Sequence, residues 1–177
     1  MKRINHPVNT LSFLLVMFGV FLMSPMSSFA AEYSLSFAVS GVVADIAVKP
    51  GVQVKKGAVL AVLDQRPLMV LKTASEFKVK AATVKYQVLA RRSEQAQQLF
   101  DSLSASAENV EDAKTATVTA RSELETAKAD ALIIAWKYER STLRAPFSGT
   151  VIHVPGYLGM VIPRNGDVVP IVVIKTP

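Results

Sequence analysis

The chain of 177 residues contains no cysteine, one tryptophan and two histidines. Without cysteine there are no disulfides, so the fold has to be held by burial, and thiolate metal sites are excluded. Beyond the first thirty residues the remaining soft or imidazole donors are His153, Met69 and Met160. These are too few for a three- or four-ligand site within one chain, and no metal is expected. One histidine in a strand around Val151–Val154 reads as a surface or turn residue. With no paired acids and no serine–histidine–acid arrangement, no catalytic residue is expected either, and the chain reads as non-enzymatic. The formal charge of +6 is scattered among acidic residues without interleaved aromatics, a pattern that gives nucleic-acid binding little support.

The N-terminus is a different kind of text. Lys2 and Arg3 start it, Leu11 to Met23 is an apolar run, Ser24-Pro25 breaks the run, and Ser28-Phe29-Ala30 makes a small-x-small cleavage signature. This order predicts a secretory signal peptide over 1–30 and a periplasmic, envelope-associated product. An uncleaved inner-membrane anchor is the alternative, although the run is short of the ~20 residues that a span needs. No cysteine follows it, which excludes a lipid-anchored lipoprotein.

The rest of the chain holds a split repeat. Ser40 to Asp64 reads SGVVADIAVKPGVQVKKGAVLAVLD, and Ser148 to Ile174 reads SGTVIHVPGYLGMVIPRNGDVVPIVVI. Gly51, Val54, Gly57 and Leu60 in the first half answer to Gly159, Ile162, Gly166 and Val169 in the second. Two copies of one unit that cannot bury its apolar face alone should close on each other. Short strands are predicted at Tyr33–Val39, Val42–Val48, Gln53–Val54 and Val59–Leu63. Gly41, Gly57, Gly149 and Gly166 read as structural turn positions rather than phosphate cradles. The β segments 31–65 and 141–177 supply about 72 residues, enough for one small sandwich.

Between the halves, over 66–140, the period changes from strand to helix. Asp64 is a candidate N-cap, with Pro67 in the first turn. Val70, Ala74, Phe77, Ala81, Val84 and Val88 are spaced alternately four and three apart and form the expected seam of the first helix. That seam slips at Arg91 and Gln95 and resumes through Ala96, Leu99 and Leu103. Ser102 to Ala107 interrupts the helix, and Ser106 is placed to cap a second one, with Glu108 and Glu111 at its start. In the second helix Val110, Ala113, Thr117, Ala120, Leu124, Ala127, Ala131, Ile134 and Tyr138 make an alanine-rich stripe. A short turn makes the pair an antiparallel hairpin reaching ~50 Å. Trp136 and Tyr138 are expected to anchor its base to the sandwich.

The segment Gly41–Asp64, the long hairpin, and the return run Thr142-Leu143-Arg144-Ala145-Pro146-Phe147-Ser148-Gly149-Thr150-Val151 together resemble the HlyD-type periplasmic adaptor, or membrane fusion protein, family. The family serves tripartite efflux pumps and type I secretion systems. The resemblance covers about Tyr33 to Ile174. It implies an α+β fold, a lipoyl-like β-sandwich split by a long antiparallel α-helical coiled-coil hairpin. It also implies an adaptor subunit acting by contact between an inner-membrane transporter, of RND or ABC type, and an outer-membrane channel. A homo-oligomer through hairpin and sandwich follows from the same likeness. In efflux adaptors the tip carries an Arg-x3-Leu-x6-Ser pattern. Here Leu99 and Ser106 keep that spacing and Gln95 stands where the arginine would be, with Arg91 and Arg92 about one turn away. Gln95, Leu99, Leu103 and Ser106 are therefore the expected channel-contact residues. The family's β-barrel and membrane-proximal domain would follow the second half. Pro177 closes the sequence before them, which reads as a minimal adaptor, one partner of a second polypeptide, or a shortened product.

Two other functions fit parts of the text. Glycine-rich half-repeats also occur in lipoyl and biotinyl carrier modules, but the helical insert replaces the hairpin where a carrier holds its modified lysine, so no cofactor is expected. A non-transport envelope spacer could use the same hairpin.

Overall fold

The computed structural model describes residues 31–165 and 167–176; the expected signal peptide and Gly166 lie outside the described residues. In chain order the elements are β1 (Glu32–Leu35), β2 (Gly41–Ile46), β3 (Gln53–Val54), β4 (Val59–Leu63), α1 (Arg66–Asp101), α2 (Ala107–Arg140), β5 (Thr142–Arg144), β6 (Gly149–His153), β7 (Val161–Ile162) and β8 (Val172–Lys175). This is the expected α+β architecture.

The strands form two four-stranded antiparallel sheets, ordered β1-β8-β6-β3 and β5-β4-β2-β7, so each sheet draws two strands from each half of the repeat. The halves exchange partners symmetrically. Gly41 of β2 opposes Ile162 of β7, and Gly149 of β6 opposes Val54 of β3. The same equivalence extends to the turns, where Gly51 N–H donates to the Val151 carbonyl at 2.7 Å and Gly159 N–H donates to the Val43 carbonyl at 2.9 Å. Both glycines are left-handed, at φ 86° and 82°, a conformation that costs other residues about 1–2 kcal/mol. Leu60, Leu63, Val151, Ile171, Val172 and Ile174 are fully buried between the sheets. Phe37 is buried beside them although regular pairing ends at Leu35, so the first strand is shorter than the alternation predicts while its inward face persists.

The base of the hairpin is fastened at both ends. Leu63 N–H donates to the carbonyl of the buried Ser141 at 2.8 Å. The Gln65 side-chain amide donates to Ser141 Oγ and Thr142 Oγ1, each at 2.9 Å, which ties the start of α1 to the end of α2. Asp64 is not the cap of α1. Gln65 takes that position, since its carbonyl accepts the first helical bond from the Met69 N–H at 2.8 Å; the Asp64 carboxylate is held by the Arg66 guanidinium at 2.9 and 2.7 Å and also accepts from the Arg66 N–H.

The helices run antiparallel in a register fixed by three contacts. Lys85 bridges to Glu123 at 2.6 Å, Thr117 Oγ1 donates to the Leu89 carbonyl at 3.0 Å, and the Lys72 ammonium sits 5.7 Å from the Tyr138 ring centre. On α2 the inward stripe is the one that the spacing predicts, with Val110, Ala120 and Leu124 buried and the other members half-buried. On α1 the expectation is overturned. Val70, Phe77 and Val84 are 66%, 63% and 58% exposed. The inward seam is instead Leu68, Lys72, Ser75, Val79, Ala82, Tyr86, Leu89, Ser93 and Ala96. It keeps four–three spacing without a slip along the whole helix. Its small and polar members suit it to close approach against alanines, and Ser75, fully enclosed, satisfies its hydroxyl on the Lys72 carbonyl at 2.7 Å.

Candidate functional site

With the inward seam assigned, the outer edge of each helix can be read. On α1 the outer edge is the apolar stripe Val70, Ala74, Phe77, Ala81 and Val84, all exposed. On α2 the positions directly opposite its seam are Val118, Ser122, Glu125, Ala129 and Leu132, also exposed. Interpolated between the Lys72–Tyr138 and Lys85–Glu123 contacts, the register puts Phe77 level with Leu132, both of them exposed. Both stripes keep the four–three spacing of helix-on-helix packing. Exposed apolar residues scattered singly need no explanation, but the α1 stripe is continuous at coiled-coil spacing, whereas Ser122 and Glu125 interrupt the one on α2.

The tip is the second exposed feature. Helix α1 ends in a complete Schellman turn: Ser104 N–H donates to the Leu99 carbonyl at 2.8 Å and Leu103 N–H to the Phe100 carbonyl at 2.9 Å. The residue that must be left-handed in such a turn is usually glycine. Here it is Leu103, at φ 60°, the one non-glycine residue with positive φ among the described residues. Its side chain is 95% exposed. Leu99 and Phe100 beside it are 51% and 40% exposed. Ser106 caps α2 by accepting from the Asn109 N–H at 3.3 Å. Gln95 lies exposed on the last turns of α1, away from the loop itself. The four residues expected at the tip are thus spread over its loop and flanks. Phe100 is a further exposed apolar residue there, and its sequence signal was its place between Leu99 and Leu103.

The turn glycines separate into two kinds. Gly57 has φ 85° in the β3–β4 turn. Gly41 and Gly149 open strands β2 and β6, where the constraint is closeness. A Cβ at Gly149 would lie 2.5 Å from the Lys175 carbonyl oxygen, and one at Gly41 would lie 3.1 Å from Leu63 Cδ1. Gly166 lies outside the described residues. His153 ends β6 exposed, and among the described residues no group of three or more acidic or histidine side chains could hold a metal. Among those residues, too, no helix is long and apolar enough to cross a membrane.

Comparison with known proteins agrees with this geometry. The chain is similar in fold to a membrane fusion protein from Streptococcus pneumoniae, with TM-score 0.63, 16% identity, and 82% of this chain and 61% of that one covered. It is likewise similar to ZneB from Cupriavidus metallidurans, with TM-score 0.59, 17% identity, and 82% and 60% covered. The chain therefore spans less than two thirds of the length of either relative. No curated protein matches the sequence. The family model of the CzcB-like, barrel-sandwich hybrid domain matches residues 33–172, both β-halves and the hairpin between them. The family resemblance carried by the return segment and the split repeat is thereby borne out, and the chain belongs to the family of the CzcB-like, barrel-sandwich hybrid domain.

Proposed function

We propose that the chain is a periplasmic adaptor subunit that bridges an inner-membrane transporter and an outer-membrane channel, and that it acts by protein contact rather than by catalysis. In this reading residues 31–65 and 141–177 form the base and 66–140 the working arm. The observation that carries it is the pair of exposed stripes on opposite edges of one hairpin, with Phe77 and Leu132 at one height. A closed ring with rotational symmetry keeps every copy at one height, so the α1 edge of one copy meets the α2 edge of the next. Phe77 of one copy then seats against Leu132 of the next, without any copy having to change shape. The ring gathers the tips, and Leu103, Leu99 and Phe100 give each tip an apolar contact for a channel, with Gln95 and Ser106 on its flanks. A photo-crosslinking residue in place of Leu103 tests the bridge in cells. Capture of an outer-membrane β-barrel or channel protein supports it, and capture of none, with the protein correctly exported, overturns it.

A further inference from the structure

Where the hairpin meets the sandwich, the structure encloses an open cleft of about 470 Å³. Leu68, Leu71, Ile134 and Trp136 line it from the helices, and Val39 and Val42 from the sandwich. The volume is that of a small-molecule site, and the walls have the apolar character such sites share. Trp136, expected to anchor the base of the hairpin to the sandwich, is 44% exposed and lines this space between them.

Charge on the lining is one-sided. Lys137 and Arg164 both line the cleft, and neither has a carboxylate within ion-pair distance among the described residues. The carboxylate that lines it, Asp64, is already committed to Arg66 through two guanidinium hydrogen bonds. That leaves an apolar floor with an aromatic wall, two uncommitted cations, and no free anion. A cationic or neutral ligand would leave both cations without a partner, whereas an amphipathic anion satisfies floor and rim together.

We propose that this cleft binds a small amphipathic organic anion, its ring or chain against Trp136 and Leu71 and its acidic group between Lys137 and Arg164. The site belongs to a single copy and does not depend on the assembly proposed above.

Trp136 is the chain's one tryptophan, so its emission reports the site directly. The test is a titration of the purified protein with 1-anilinonaphthalene-8-sulfonate. A saturable quench of Trp136 emission with energy transfer to the dye is expected. In Lys137→Glu/Arg164→Glu the affinity should fall roughly tenfold or more, the scale of losing charge-assisted contacts. Lys137→Arg/Arg164→Lys should retain it, and a naphthyl trimethylammonium of similar size should bind at least roughly tenfold more weakly. Phe77→Gln, on the outer edge of α1, should leave the quench unchanged. The proposal is overturned by an unsaturable response, by equal binding of the cationic probe, or by a charge-reversed variant that is folded by circular dichroism and binds as the parent does. A loss in Phe77→Gln instead would put the dye on the hairpin edge and overturn it as well.

Discussion

Replacing Leu103 by glycine should make the hairpin tip more stable while removing its most exposed apolar group. Leu103 is left-handed at φ 60° in a Schellman turn, a conformation that costs a leucine roughly 1–2 kcal/mol. Glycine pays none of that but loses roughly 0.5–1 kcal/mol more backbone entropy on folding. The side chain is 95% exposed, so its removal sacrifices almost no burial. The balance is a gain of about 0.5–1 kcal/mol. A tip at the end of a hairpin ~50 Å long opens locally, and its amides sense the change better than a global melt does. Hydrogen exchange of the Ser104 amide, which closes the turn onto Leu99, should slow roughly two- to fivefold in Leu103→Gly. Partner capture from a crosslinker placed next door at Phe100 should meanwhile fall. The proposed channel contact supplies a reason for a strained leucine to stand exposed at the tip. Faster exchange at Ser104 in the variant would refute the reasoning, since it would mean that the leucine supports the turn.

Two further predictions follow from close contacts. Gly149→Ala should cost about 1–3 kcal/mol in denaturant unfolding, because its Cβ would meet backbone at 2.5 Å. Gly41→Ala should cost less, since the Leu63 side chain that it meets at 3.1 Å is able to shift. The Asp64 carboxyl, held by hydrogen bonds from the Arg66 side chain and backbone, is lowered from 3.8 to about 2. Its stabilisation is therefore present above pH ~4 and is lost as pH falls toward ~2. The Asp64 carboxyl carbon should titrate by NMR near 2 in the parent and move up toward, without reaching, the ordinary 3.8 in Arg66→Gln, which keeps the backbone hydrogen bond; an unchanged midpoint would contradict the pairing.

Much of the base was legible because its constraints are local. Val59–Leu63 and Gln53–Val54 alternate between turn residues, and their positions match the observed strands residue for residue. The exchange of partners between halves was readable from the repeat, since Gly41/Gly149 and Val54/Ile162 are equivalent in both sequence and register. The α2 seam was legible for a related reason: from Val110 to Tyr138 it is almost wholly apolar and carries no charge.

Helix α1 carries two stripes at the same spacing, and apolarity selects the wrong one. Val70, Phe77 and Val84 are more hydrophobic than Lys72, Ser75 and Ser93, yet the latter face α2. Two signals separate the stripes. The apolar one slips at Arg91, whereas the inward one runs from Leu68 to Ala96 unbroken. Close approach to an alanine-rich partner also favours small residues over large ones. The tip strain had no sequence signature, because nothing in Ser102–Ser106 announces a left-handed leucine. The cleft was equally hidden, since Val39, Leu71, Trp136 and Arg164 come together only through the tertiary fold.

In the assembly proposed above, the outer edges of the hairpin join copies of this chain side by side. The absence of cysteine makes it directly testable, because engineered thiols have no native competitors. In Phe77→Cys/Leu132→Cys the two thiols lie on opposite edges of one hairpin and cannot meet within it. Mild oxidation of the purified double variant should give a ladder of disulfide-linked oligomers, with each single variant stopping short of a ladder. A double variant that stays monomeric under oxidation, with both thiols shown to be accessible, would contradict the account.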